Sequence, residues 1–204
     1  MAKLNRMQTA IHPDPVLDRR EAVPALIGKA EGYLCVAGLA GTAQELSTIT
    51  DDSPSVFALG GAMGAAASMA LGLALAQPKR RILCMMGDAE LLMNLGALAT
   101  IGLMNPPNLS MVCVDNGRFG ETGNQHSHTG LGVALDRIAQ GAGFPVTHVI
   151  NSADDIPEGR RILKESNGLC FILLRVKEGP ALRSKRNLVP HIARDRFRAS
   201  LVGA

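Results

Sequence analysis

The chain has 204 residues, 47% of them hydrophobic but only 3% aromatic, and a formal net charge of +3. That length supports one domain with a substantial core, so 1–204 is expected to be a single domain with an N-terminal helical lead-in and a basic C-terminal tail. The mild charge tolerates an anionic ligand but lacks the clustered basic footprint of a nucleic-acid binder.

In chain order, "MAKLNRMQTAIHPDP" lacks the apolar core of a signal peptide. "RREAVPALIGKA" (19–30) reads as a helix and "YLCVAG" (33–38) as a strand. "SVFAL" (55–59) reads as a second strand, followed by a helix over 61–77. The span 55–77 is uncharged and long enough to cross a bilayer, but its Ala/Gly content and Gly60-Gly61 favour a short strand and a buried helix. Strand 81–87, helix 91–104 and strand 109–116 come next. A polar loop precedes helix 135–143, strand 146–150, helix 153–166, strand 170–176 and a last helix over 190–201. Pro157 falls in the first turn of its helix if Asp154 or Asp155 is the cap. Several strands are oily on both faces, as in a covered parallel sheet. The alternation predicts an α/β fold: a doubly wound, mostly parallel sheet with helices on both faces. Cys35, Cys84, Cys113 and Cys170 each sit in an apolar run without metal-ligand spacing. They read as buried free thiols in a reducing, cytoplasmic setting. The tail basics Arg183, Lys185, Arg186, Arg194, Arg196 and Arg198 read as a solvated face.

Ligands of such sheets bind at the carboxyl ends of the strands. Three strand ends have unusual chemistry here: "LGGAMG", "GDAE" and "DNGRFGETGNQHSHTG" (115–130). They converge if their strands are neighbours. Asp88 alone reads as a helix cap, and Asp115-Asn116 as a turn. Together, one carboxylate, one amide oxygen and a backbone carbonyl supply half an octahedral shell. That suits Mg²⁺, which takes few protein ligands and completes its shell with phosphate oxygens and water. The helix start after Asp88 offers free N–H groups to the same phosphates.

The stretch "GDAELLMNLGALATIGLMNPPNLSMVCVDNGRFGETG", followed by "Q-H-S-H-T", resembles the diphosphate-binding motif of thiamine diphosphate enzymes. Within them it is most similar to the decarboxylases of 3-sulfopyruvate and 3-phosphonopyruvate. The resemblance covers roughly residues 30 to 180. It implies that Asp88, the Asn116 side chain and the Arg118 carbonyl ligate Mg²⁺. It implies that Gly87 and the backbone of Ala89 and Glu90 face the diphosphate of thiamine diphosphate. In "GAMG", Met63 matches the residue that bends the cofactor, and the Gly61 carbonyl the acceptor of its 4′-amino group. Met63 taken alone is an ordinary core methionine. Gly120, Glu121, Thr122 and His128 follow in a Gly-bracketed loop that either closes over substrate or is simply solvated. The resemblance implies that Glu121 handles protons; His126 and His128, in the same loop, offer a proton donor or an anion contact. Arg118 and Arg183 are possible anchors for a sulfonate or phosphonate.

This sequence departs from the family pattern at Ala89, where glycine is usual, and at Glu90, where a small hydroxyl residue is common. Asp115 replaces the first Asn of a pair. Gln44 stands before Glu45 where the family has a basic residue. The family's catalytic glutamate lies on a separate pyrimidine-binding domain. The resemblance therefore implies a carbon–carbon lyase completed by a second, α-type chain in a homo- or hetero-oligomer. It implies a small anionic 2-oxo acid substrate, sulfopyruvate first, with phosphonopyruvate, another 2-oxo acid or carboligation as alternatives. A non-catalytic α/β binding domain that has lost the cofactor is the competing class.

Overall fold

The computed structural model describes residues 11–183 and 189–202; Lys185 and Arg186 of the basic tail lie outside them. Six parallel strands form one sheet: β1 (Tyr33–Ala37), β2 (Val56–Ala58), β3 (Arg81–Gly87), β4 (Leu109–Asp115), β7 (Val146–Ile150) and β8 (Cys170–Arg175), in the order β2-β1-β3-β4-β8-β7. A two-residue hairpin, β5 (Arg118–Phe119) with β6 (Gln125–His126), lies within the predicted polar loop. The helices are α1 (Arg19–Ile27), α2 (Gly41–Ile49), α3 (Ala66–Ala76), α4 (Asp88–Leu92), α5 (Gly96–Met104), α6 (Leu135–Gly141), α7 (Ile156–Glu165) and α8 (Pro190–Val202).

The strands are oily throughout because both faces are covered. Leu34, Ile82, Cys84, Met111 and Phe171 pack with α3, α5 and α6. The alternate residues Cys35, Leu83, Met85, Val112 and Ile172 pack with α1, α2 and α7. Strand period 2 distributes one run of apolar residues between two cores. The doubly wound expectation therefore holds. All four thiols are buried, and burial pushes Cys35 up to about 12.

Two element expectations are corrected. The helix expected over 91–104 is two helices, α4 and α5. Asn94 leaves the helical path, and its Nδ2 donates to the Gly64 carbonyl at 2.9 Å. The 61–77 helix begins only at Ala66, which leaves "GAMG" as a loop. The N-cap position of α7 is Asp155, one of the two residues expected there, with Pro157 in the first turn; Ser152 forms a capping box with Asp155 around the 3₁₀ turn that precedes it. Helix α2 has no counterpart in the expectations. Among the described residues, no helix is long and apolar enough to cross a membrane. α8 presents Arg194 and Arg198 to solvent and is anchored by Phe197, whose ring centroid lies 5.5 Å from that of Phe57.

The chain runs outward from β1 to β2, then returns past β1 to β3. This reversal leaves a crevice at the carboxyl ends of β1 and β3, the topological switch point of an open α/β sheet.

Candidate active site: an acid-rich cleft at the switch point

A cleft of about 190 Å³ opens at that crevice. Of the residues singled out from the sequence, Met63, Gly87, Asp88, Ala89, Glu90, Asn116, Arg118, Gly120, Glu121 and Thr122 line it. β3 and β4 are neighbours and deliver "GDAE" and "DNGRFG" side by side. β2 is one strand removed, yet its following loop brings Met63 in. Gly61 and His128 are exposed and do not line the cleft, and neither does Arg183.

Asp88 is the first residue of α4 and is only 2% exposed. It does not act as the cap; Gly87 holds that position. Its Oδ2 instead accepts hydrogen bonds from Ser127 Oγ and from Thr129 Oγ1, the latter at 2.9 Å. Thr129 Oγ1 also lies 2.7 Å from Asp115 Oδ1. One hydroxyl proton therefore faces two buried carboxylates. Burial, then the charge of Asp115, raises Asp88 above the usual carboxylate range; the two hydroxyls oppose the shift. Asp115 is likewise raised by burial, against Thr129 and against Arg175, whose Nε stands 3.7 Å away. Ser127 and Thr129 were not assigned from sequence. The sequence offered no periodic signal for them: His128 between them is helical at the start of a 3₁₀ turn, and that turn brings both hydroxyls to Asp88.

Asn116 follows β4 in a tight Asx turn, its Oδ1 accepting from the Arg118 N–H at 3.1 Å. An amide oxygen retains a second lone pair for another partner. The Arg118 guanidinium turns outward to Glu178, 3.3 Å away, and to the Asn124 carbonyl. Gly120, Glu121 and Thr122 form the exposed tip of the β5–β6 hairpin.

Ala89 lies within α4 and has helical backbone, so its methyl replaces glycine without strain. Glu90 is 4% exposed and turns back toward β1. Its Oε2 accepts from the Leu39 N–H at 3.0 Å. Its Oε1 is buried with no hydrogen-bond partner. Burial raises Glu90, while the nearby amides of Leu39, Gly87 and Gly64 favour the anion. Helix α2 completes the wall: Leu39, Ala40, Gly41 and Thr42 line the cleft, as does Arg19 from α1. Arg19 is bound by Glu45, with Nε to Oε1 at 2.6 Å and Nη2 to Oε2 at 2.9 Å.

These donors fit a divalent ion. No three His, Cys, Asp or Glu side chains cluster around a metal position among the described residues. A site here would use Asp88, Asn116 and a carbonyl, with ligand oxygens and water filling the shell, the usual manner of Mg²⁺. The buried Asp88 carboxylate, beside that of Asp115, is the feature a cation would relieve.

The fold and this cleft define a diphosphate-binding α/β domain of the thiamine-dependent type, and comparison with known proteins agrees. Residues 39–173 match the family described as thiamine pyrophosphate enzyme, C-terminal TPP binding domain, and the chain belongs to that family. It is 37% identical over 166 residues to the sulfopyruvate decarboxylase subunit beta of Methanothermobacter thermautotrophicus, covering 81% of this chain and 85% of that one. It is 33% identical over 187 residues to the phosphonopyruvate decarboxylase of Streptomyces hygroscopicus, covering 91% of this chain but 46% of the relative. An X-ray structure of a provisionally assigned thiamin diphosphate-dependent enzyme from Mycobacterium smegmatis shares the fold. Its TM-score is 0.61 at 18% identity, over 83% of this chain and 36% of that one.

Proposed function

We propose that this chain is the diphosphate-binding, β-type subunit of a thiamine diphosphate- and Mg²⁺-dependent 2-oxo acid decarboxylase. We assign 3-sulfopyruvate as its substrate, with sulfoacetaldehyde and carbon dioxide as products. The observation that supports the reading is the meeting of Asp88 and Asn116, from two consecutive crossover units, in one cleft at the switch point. The substrate assignment follows the sulfopyruvate decarboxylase subunit beta, aligned over most of both chains.

On this reading Asp88, the Asn116 amide and the Arg118 carbonyl hold Mg²⁺. The amides of Gly87, Ala89 and Glu90 face the diphosphate, and Gly61 and Met63 face the aminopyrimidine. When bound, the cofactor supplies the electron sink that decarboxylation requires. The β5–β6 tip, with Gly120, Glu121 and Thr122, covers the reacting centre and excludes water. Glu121, on that tip, delivers the proton that takes the place of carbon dioxide. The cleft is smaller than the 300–1,000 Å³ typical of a small-molecule site. A pyrimidine-binding α chain therefore supplies the facing wall and the catalytic glutamate.

The decisive experiment co-expresses the chain with its partner and measures carbon dioxide release from a panel of 2-oxo acids with thiamine diphosphate and Mg²⁺. Release is fastest from sulfopyruvate; a preference for phosphonopyruvate shifts the substrate, and release from none removes the reading. The alternative, a binding domain that has lost the cofactor, is favoured by one observation: the Glu90 carboxylate occupies the Leu39 amide at the mouth of the diphosphate region. An unchanged melting temperature on adding thiamine diphosphate with Mg²⁺ would support that alternative.

A further inference from the structure

A second cavity lies at the other end of the sheet from the cleft, where Tyr33 and Arg81 begin β1 and β3 side by side. Its volume is about 420 Å³, against about 190 Å³ for the cleft, and falls within the range of small-molecule sites. The last turn of α1 and the C-terminal half of α7 enclose it, and Leu26, Leu83 and Leu163 give it a buried apolar wall. Four cations line it, Lys29, Arg81, Arg160 and Lys164, against one carboxylate, Glu31.

Among the described residues none of the four forms an ion pair. The carboxylates of α7 are taken by Arg161 instead, Glu158 at 2.6 Å and Glu165 at 3.0 Å. Arg81 is fixed by neutral groups alone. Its guanidinium carbon stands 4.5 Å over the centre of the Tyr33 ring, and its Nη2 donates to the Tyr33 hydroxyl at 2.6 Å and to the Leu163 carbonyl. The side chain is held while its charge stays uncompensated. The Tyr33 hydroxyl donates to the same carbonyl. Leu163 is among the last four residues of α7, whose carbonyls lack intrahelical donors, so these bonds satisfy an oxygen that would otherwise repel an anion. Arg160 reaches from α7 toward α1, its Nη1 lying 3.4 Å from the Ala25 carbonyl. The α7 macrodipole accounts for Lys164 in the last turn. It accounts neither for Lys29 after α1 nor for Arg81 at a strand start.

We infer that this cavity is a binding site for a small multivalent anion of the oligophosphate class. A single charge would meet cations largely screened by solvent, whereas linked phosphates engage several of them at once. Such a group comes either bare or on a nucleoside whose body covers the apolar wall. The inference is independent of the proposed function, whose cleft lies at the opposite ends of the same two strands.

Isothermal titration of the full-length chain with inorganic triphosphate, and separately with ATP, in metal-free buffer tests this; without Mg²⁺ the proposed diphosphate site does not contribute. Lys29 and Lys164 are exposed, so Lys29→Gln/Lys164→Gln should keep the fold, which thermal melts check. Arg160→Gln, likewise exposed, repeats the test at a third position. The control, Arg194→Gln/Arg198→Gln, removes the same charge from the solvent face of α8. The site predicts a Kd for triphosphate weakened roughly tenfold or more in the lysine pair, less in Arg160→Gln, and by roughly twofold or less in the control pair. Tighter binding of ATP than of triphosphate assigns the apolar wall to a nucleoside; equal or weaker binding assigns the cavity to bare oligophosphate. No binding of triphosphate by the wild-type chain, or equal weakening in the lysine and control pairs, overturns the inference. Carbon dioxide release measured with the partner chain is untouched by either result, so this site and the proposed function fail separately.

Discussion

Replacing Gly38 by alanine tests the seat of Glu90 directly. A β-carbon there would stand 1.8 Å from Glu90 Oε2, 2.6 Å from Cδ and 2.8 Å from Oε1. No atoms survive at such distances, so the carboxylate must leave. It is the end of a flexible side chain and can swing into the cleft, so the cost is less a hard overlap than the lost bond to the Leu39 N–H, 3.0 Å long. A hydrogen bond to a charged group contributes roughly 1.5–3 kcal/mol, which gives a destabilisation of about 2 kcal/mol. For a chain of this size that lowers the melting temperature by about 4–8 °C. Gly38 does not have positive φ, so the backbone accepts alanine. In a Glu90→Ala background the seat is empty, and the same substitution becomes neutral or gains a few tenths of a kcal/mol from the stiffer unfolded chain. A double-mutant cycle by urea unfolding at constant m-value should therefore show a coupling of about 2 kcal/mol. An equal cost in both backgrounds would mean that Glu90 does not rest on Gly38, and the description of the cleft would be wrong.

Asp88→Ala and Asn116→Ala should each abolish the Mg²⁺-dependent rise in melting temperature caused by thiamine diphosphate while leaving the far-ultraviolet circular dichroism unchanged. Two glycine substitutions should have opposite signs. Gly72 in α3 has nothing within 4 Å of an added β-carbon, so Gly72→Ala should stabilise by about 0.5–1 kcal/mol in urea melts. Gly102 in α5 would drive its β-carbon to 1.8 Å from the Ala142 carbonyl oxygen, a backbone atom, so Gly102→Ala should cost roughly 1–3 kcal/mol despite the better helix former. Burial raises the Cys35 thiol from its ordinary 9.0 to about 12. A group raised on folding stabilises below its unfolded value and loses that contribution as pH climbs to its folded value. Urea stability should therefore fall from pH 9 upward, by about 1.4 kcal/mol from Cys35 alone at pH 10. A thiol reagent at pH 8 should label none of the four cysteines until the chain is unfolded.

Most of the sheet was legible because its strands are short apolar runs bounded by Gly, Asn and Pro, and each run falls within about a residue of an observed strand. Helices read less well where the tertiary partner decides. The uninterrupted pattern over 91–104 conceals the break at Asn94, which depends on the Gly64 carbonyl, 30 positions away. α2 was missed because "GTAQELSTI" has a weak apolar stripe and starts from Ala40 at φ 54°, with no Ser, Thr, Asp or Asn cap to announce it. The β5–β6 hairpin is too short to leave an alternating pattern.

The site was legible to the extent that its residues act through local backbone. Asp88 and Asn116 stand at strand ends, and Ala89 is harmless because it lies inside a helical turn. The side-chain meetings were not legible, because each joins residues far apart in sequence. Glu90 is the sharpest case. Its charge beside a diphosphate region reads from sequence as a defect. In the fold, the absence of a side chain at Gly38 makes room for the carboxylate, the Leu39 amide holds one oxygen, and the second oxygen is left without a partner in a cleft that already contains Asp88. Glu90 and the two further buried carboxylates at 88 and 115 concentrate negative charge in a poorly solvated region. On the proposed function, a divalent cation held by Asp88 would offset that buried negative charge.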